Sequence, residues 1–183
     1  MRKHICKFLL KLFGWKAGEP ACPGNKAIIL GVPHTSAWDF LISFFYYYGV
    51  GGKASVMVKK EFFWGPLAPI MRWMGGVPVD RAKGATVAKQ VIDAMNNSEY
   101  MHLAIAPEGT RKRTDNWNTG FHTIARATGA TVYLGYFDWG TKHVGWGKKV
   151  ELTDDARADM QRIQALYEEM HLVGKHKKNY VTR

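Results

Sequence analysis

The chain is short of acidic residues, of cysteine and of long apolar runs, and each shortage excludes a class of protein. Asp and Glu number 15 against 26 Lys and Arg, a formal net charge of +11 over 183 residues. That excess implies an anionic partner: nucleic acid, a phosphorylated metabolite or an acidic membrane surface. The two cysteines, Cys6 and Cys22, cannot build a disulfide scaffold and lack metal-ligand spacing. A reducing cytoplasm is compatible with that usage. No apolar stretch approaches the roughly 20 residues that span a bilayer. The nearest, Phe40 to Val50, has Ser43 within it and reads as a core helix. Arg2 and Lys3 precede apolar residues as in a signal peptide. Lys7 and Lys11 break that pattern and no small-residue cleavage site follows, so the segment is expected to be retained. There is no Walker loop, dinucleotide fingerprint or zinc motif. The Gly-x-Ser-x-Gly elbow of a covalent serine mechanism is also missing.

What is present fits one domain with a sizeable core, rich in aromatics and holding seven tryptophans. Residues 2–16 have helical periodicity. Ile5, Phe8, Leu9, Leu12 and Phe13 form one face and Lys3, Lys7 and Lys11 another, with no acid before Glu19. Such a helix suits a membrane interface, or it docks on its own domain with a solvated lysine face. Gly18 to Asn25 reads as a linker. Strands are expected at 27–32, 54–58, 77–79, 100–106 and 130–137. Helices are expected from about 37 to 48 and at 67–74, 86–96, 121–128 and 155–170, and a loose basic tail from Gly174. The alternation predicts an α/β domain with a largely parallel sheet.

Three strand ends carry chemistry. The first apolar run delivers Pro33-His34-Thr35-Ser36-Ala37-Trp38-Asp39. A carboxylate one helical turn past a histidine can hold the imidazole in one tautomer and stabilise its cation. Taken singly, Asp39 is equally explained as an early-helix acid, and His34 as a cap or surface residue. The 100–106 strand delivers Pro107-Glu108-Gly109-Thr110-Arg111, with a glycine for close backbone approach and an arginine able to clamp a phosphate. A solvated loop with a charge run is the alternative. Asp80-Arg81 closes a third strand, as a second phosphate ligand or a surface ion pair. Lys59 and Lys60 follow a fourth. His102, inside a strand, reads as structural. His122, His143, His171 and His176 show no paired spacing.

Together these blocks resemble the 1-acyl-glycerol-3-phosphate acyltransferase family, over roughly Ala27 to Phe137. His34 to Asp39 is similar to its His-four-residues-Asp motif, Gly76-Val77-Pro78-Val79-Asp80-Arg81 to its second block and Pro107 to Arg111 to its third. Lys59 falls in its lysine-containing segment. Pro33 replaces the asparagine that often precedes the histidine. Thr131 to Phe137 lacks the fourth block's proline, and Asp138 to His143 matches no motif.

The resemblance implies a single α/β domain over 19–183, with a central largely parallel mixed sheet flanked by helices, preceded by a membrane-associating helix over 1–18. It implies an enzyme in which His34, oriented by Asp39, activates a lysolipid hydroxyl for attack on acyl-CoA or acyl-carrier protein. Lys59, Arg81, Glu108, Gly109, Thr110 and Arg111 would form the acceptor phosphate site and pocket. No metal or cofactor is implied, and no nucleic-acid partner. The enzyme would sit peripherally on an anionic membrane surface, on its cytoplasmic face, without a transmembrane span. A non-glycerophosphate lipid acceptor and a non-enzymatic lipid-binding protein are the alternatives.

Overall fold

The computed structural model describes residues 2–80 and 86–182. Six helices run α1 (Arg2–Leu12), α2 (Ala37–Gly49), α3 (Leu67–Trp73), α4 (Val87–Asn96), α5 (Gly120–Thr128) and α6 (Ala156–Glu169). Seven strands run β1 (Lys16–Ala17), β2 (Lys26–Val32), β3 (Ala54–Lys59), β4 (Gly76–Val79), β5 (Met101–Ile105), β6 (Thr131–Asp138) and β7 (His143–Val150). They form one sheet in the order β1-β7-β6-β2-β5-β3-β4. All neighbours pair in parallel except β6 and β7.

β2 lies at the centre because both of its faces are apolar, as a parallel strand covered by helices requires. Ile28, Leu30 and Val32 pack with Val91 of α4, Phe121 and Ile124 of α5, and Ile163 and Tyr167 of α6. Ala27 and Ile29 pack on the opposite side with Leu10 of α1 and Ile42 and Tyr46 of α2. α3 joins that side through Trp73, whose ring lies 5.7 Å from Phe44. Tyr167 is fully buried, and its hydroxyl donates to Leu30 O (2.9 Å) and Gly135 O (3.0 Å), tying α6 to two central strands.

The connections create the crevice that matters. β2 and β5 are neighbours, with Leu30 opposite Ile105. The chain leaves β2 into α2 on one face and leaves β5 toward α5 on the other. Adjacent strand ends whose chains part in this way are where open α/β sheets bind ligands. The His34 turn follows β2 and the Pro-Glu-Gly-Thr-Arg loop follows β5.

The expected mostly parallel α/β fold is present, and each expected element is found with its ends moved by a residue or a few. α1 stops at Leu12 rather than running to 16. Gly14 adopts a left-handed φ of 74°, and the Trp15 amide turns back to Leu10 O at 3.0 Å. β1 and β7 were not anticipated. β7 alternates weakly because two glycines and two lysines dilute it, and its Lys148 and Lys149 face solvent near the sheet's edge. The segment from Gly174, expected to be loose, is ordered. It forms a 3-10 turn over Lys177–Asn179 and bonds to the loops that follow β2 and β5.

Candidate active site

Ser36 caps α2. Its Oγ accepts from Trp38 N (3.3 Å), while Asp39 Oδ2 accepts from Ser36 N (2.7 Å), a capping box that starts the helix at the crevice. Asp39 is therefore an early-helix acid and more. Its Oδ2 also accepts from Thr35 N at 2.7 Å and lies 3.5 Å from His34 Nδ1. Its Oδ1 accepts from Trp139 Nε1 at 2.8 Å. The carboxylate is fully buried, while the His34 ring keeps 27% of its surface exposed. The 3.5 Å separation is an ion-pair distance, and such contacts shorten when substrate closes the site.

Glu108 secures the same turn from the β5 side. Its Oε1 accepts from His34 N at 2.8 Å. Three successive amides, of His34, Thr35 and Ser36, are thus held by two carboxylates from different strand ends. Burial pushes the Glu108 carboxyl up to about 7, and the His34 amide hydrogen bond and the nearby imidazole offset only part of that rise. Gly109 has a φ of 65°, and a Cβ there would collide with the Asn118 amide, so only glycine turns this loop.

A cavity of about 830 Å³ opens beside these groups. His34, Asp39 and Gly109 line it, with an apolar wall that includes Phe40, Phe44, Met57, Met71 and Met74. Among the described residues, His34 Nε2 has no hydrogen-bond partner, which leaves one ring nitrogen free to take a proton.

The anticipated cations are more scattered. Lys59 ends β3 and Arg111 follows β5, both exposed on the catalytic edge of the sheet. Neither lines the cavity. Thr110 Oγ1 accepts from Lys112 N at 3.2 Å and stabilises its own loop. Arg81 lies outside the described residues, whereas Asp80 pairs with Lys60 at 2.6 Å. His102 is structural, with its ring between Tyr47 OH (2.6 Å) and Gly24 O (3.0 Å). His122, without a partner by spacing, pairs with Asp159 at 3.1 Å, fastening α5 to α6.

Sequence reasoning missed Trp139, which reaches Asp39 from 100 residues away. The only available signal was its position directly after a strong strand. Among the described residues, no group of three or more His, Cys, Asp or Glu is placed to hold a metal ion, and no helix is long and apolar enough to cross a membrane. Both cysteines are buried and free.

The arrangement is that of an open α/β sheet with a His–Asp pair at its switch point, facing an apolar cavity. The chain belongs to the acyltransferase family, whose model matches residues 17–135, and it is an acyltransferase enzyme. It is similar in fold to the crystal structure of the 1-acyl-sn-glycerophosphate acyltransferase PlsC from Thermotoga maritima. That likeness has a TM-score of 0.61 and 15% identity, and covers 92% of this chain and 78% of the other. No curated protein matches the chain.

Proposed function

We propose that this acyltransferase moves a fatty acyl group from acyl-CoA or acyl-carrier protein to the hydroxyl of lysophosphatidic acid or a related lysolipid. The observation that carries the reading is the placement of His34. It is partly exposed at the cavity, with Nδ1 toward a buried carboxylate and Nε2 without a partner among the described residues. His34 removes the proton from the acceptor hydroxyl as the oxygen attacks the thioester carbonyl. The new C–O bond forms, the C–S bond breaks, and the thiolate leaves with the proton held by His34. Asp39 stabilises the imidazolium between those steps. Backbone N–H groups near the strand ends offset the charge developing on the carbonyl oxygen. Asp39 and the free Nε2 favour an enzyme over a passive lipid carrier.

The apolar wall of the cavity suits an acyl chain. Lys59 and Arg111 supply a positive edge for an acceptor phosphate, a role the sequence motif also gives Arg81, and Glu108, Gly109 and Thr110 shape its loop. A lysophosphatidic acid acceptor is also named for the Thermotoga maritima protein. The proposed place of action is an anionic membrane, at its cytoplasmic face, and exposed apolar residues beside lysines support the membrane contact. α1 buries Cys6 and Leu10 against α2 yet exposes Ile5, Phe8 and Leu12 beside Lys3, Lys7 and Lys11, with Phe13 exposed just after it. Trp64, Leu67, Ile70 and Trp73 are also exposed, and Arg2 joins α1 to α3 through Trp73 O. Apolar side chains flanked by lysines suit a peripheral membrane contact.

The test is acyl transfer by purified protein with acyl-CoA and acyl-carrier protein against a panel of lysolipids. His34→Ala is expected to lower kcat by about a thousandfold, the middle of the range of general-base contributions, with folding intact. Full activity in His34→Ala refutes the mechanism.

A further inference from the structure

Asp138 to His143 matches no motif in sequence, yet the segment reaches the catalytic pair. Residues 139–142 link β6 to β7 as a hairpin loop, where small and polar residues suffice. Trp139, at its start, is neither. Asp138, buried at the end of β6, fixes the loop from inside. Its Oδ1 accepts from Gly140 N at 3.0 Å and from Val173 N at 2.9 Å. Its Oδ2 accepts from the Thr141 amide at 3.2 Å and from the Thr141 hydroxyl. The Trp139 amide donates to Val173 O at 2.8 Å, which ties the loop to the chain after α6. Trp15 packs edge-on against the Trp139 indole with centroids 4.9 Å apart, and the Lys175 ammonium lies 4.8 Å from the Trp139 centroid. Held in this way, Nε1 donates to Asp39 Oδ1 at 2.8 Å.

Asp39 has two tasks that ask for different things. The cap of α2 needs only Oδ2, which accepts from Thr35 N and Ser36 N. The torsion that sets a carboxylate's plane is soft, so an acid held at one oxygen still tilts. Facing His34 Nδ1 requires that plane to be fixed. A donor at Oδ1, arriving from the far side of the carboxylate's own turn, supplies the second point. The indole N–H can only donate, so it matches an anion and competes for no proton. The carboxylate is fully buried, and Trp139 is the hydrogen-bond partner of Oδ1.

We propose that Trp139 is a positioning residue for the base, fixing the Asp39 carboxylate so that His34 keeps its proton on Nδ1 and presents Nε2 to the acceptor hydroxyl. The inference rests on the base role given to His34 above. Asp138 sets the loop that aims the indole. Trp139 acts through Asp39 and touches no substrate.

The experiment follows wild type, Trp139→Phe, Asp138→Asn and Trp15→Phe by kcat, by KM for donor and acceptor, and by nitrogen NMR of the His34 ring in its neutral form. The hydrogen bond at one ring nitrogen decides which tautomer is present, so wild type is expected to show the Nδ1–H form. Trp139→Phe keeps a ring and loses the N–H. It is expected to lose that tautomer preference and to lower kcat about tenfold with both KM values unchanged, the scale of one hydrogen bond to a charged acceptor. Asp138→Asn keeps the indole and slackens its loop, and is expected to weaken the preference and lower kcat about threefold. Trp15→Phe alters only packing and is expected to leave both readouts at the wild-type value. Trp139→Phe that keeps the tautomer or keeps kcat overturns the inference, as does Trp15→Phe acting as strongly as Trp139→Phe. Should Trp139→Phe fail to fold, Asp138→Asn decides on the same two readouts. If wild type itself transfers no acyl group to any acceptor, the proposed function falls. The tautomer then decides the positioning role by itself: a preference lost in Trp139→Phe upholds it and a preference kept refutes it.

Discussion

Glu108→Gln isolates the cost of a buried carboxyl. Glu108 is 6% exposed, and burial raises its carboxyl from 4.5 to about 7. In the unfolded chain the group loses its proton near 4.5, while the folded protein keeps that proton until about 7. Between those values the native state binds more protons than the unfolded one, so stability falls as pH rises. Below about pH 4.5 the group costs nothing by this route, and above about pH 7 the loss is complete. A shift of some 2.5 units at 1.36 kcal/mol each makes that loss about 3 kcal/mol, and most of it falls between pH 5 and pH 8. Glutamine retains an oxygen to accept the His34 amide and cannot ionise. Urea unfolding of wild type and Glu108→Gln at pH 5, 6, 7 and 8 measures the difference directly. The variant is expected to gain on wild type by about 2.5 kcal/mol between pH 5 and pH 8, the part of the loss that falls in that window. A difference that stays flat with pH refutes the claim that Glu108 titrates near neutrality in the fold.

Trp139→Phe removes the donor to Asp39 Oδ1 and keeps an aromatic ring near Trp15, whose centroid lies 4.9 Å from that of Trp139. Loss of a buried bond to a charged acceptor is expected to cost about 2 kcal/mol. For a domain of this size the melting temperature drops by about 4–8 °C, measured by calorimetry; an unchanged transition rules out the clamp. Phe8→Glu with Leu12→Glu places charge on the exposed face of α1 and is expected to weaken binding to anionic vesicles at least tenfold, roughly the worth of one buried apolar side chain. Flotation equal to wild type leaves α1 as a packing element alone.

The central fold was legible because local pattern and tertiary role agree there. β2 and β5 are apolar runs long enough to fill a sheet buried on both faces, and glycines or capping residues end the helices between them. β7 was illegible because a strand next to the sheet's edge, covered on its outer side only by the two-residue β1, tolerates lysine and glycine, which erase the alternation that marks strands. The His34–Asp39 juxtaposition was readable because groups held within one turn leave a fixed spacing in sequence, and Glu108 was marked only by its own loop motif. Trp139 left no spacing to read, since it reaches Asp39 from 100 residues along the chain. Lys59 and Arg111 were marked by motif, yet both side chains lie outside the cavity.

The sequence alone indicated the sheet's class, through strands alternating with helices, and the His34–Asp39 spacing, which lies within about one turn. Only the tertiary structure brought β2 beside β5, so that Glu108 holds the His34 amide, and carried Trp139 to the far side of Asp39. It also drew the last residues over the crevice, where sequence suggested a solvated basic tail. The physical reason is reach. A hydrogen bond extends about 3 Å, and only the folding of distant segments onto one sheet edge brings such groups within it.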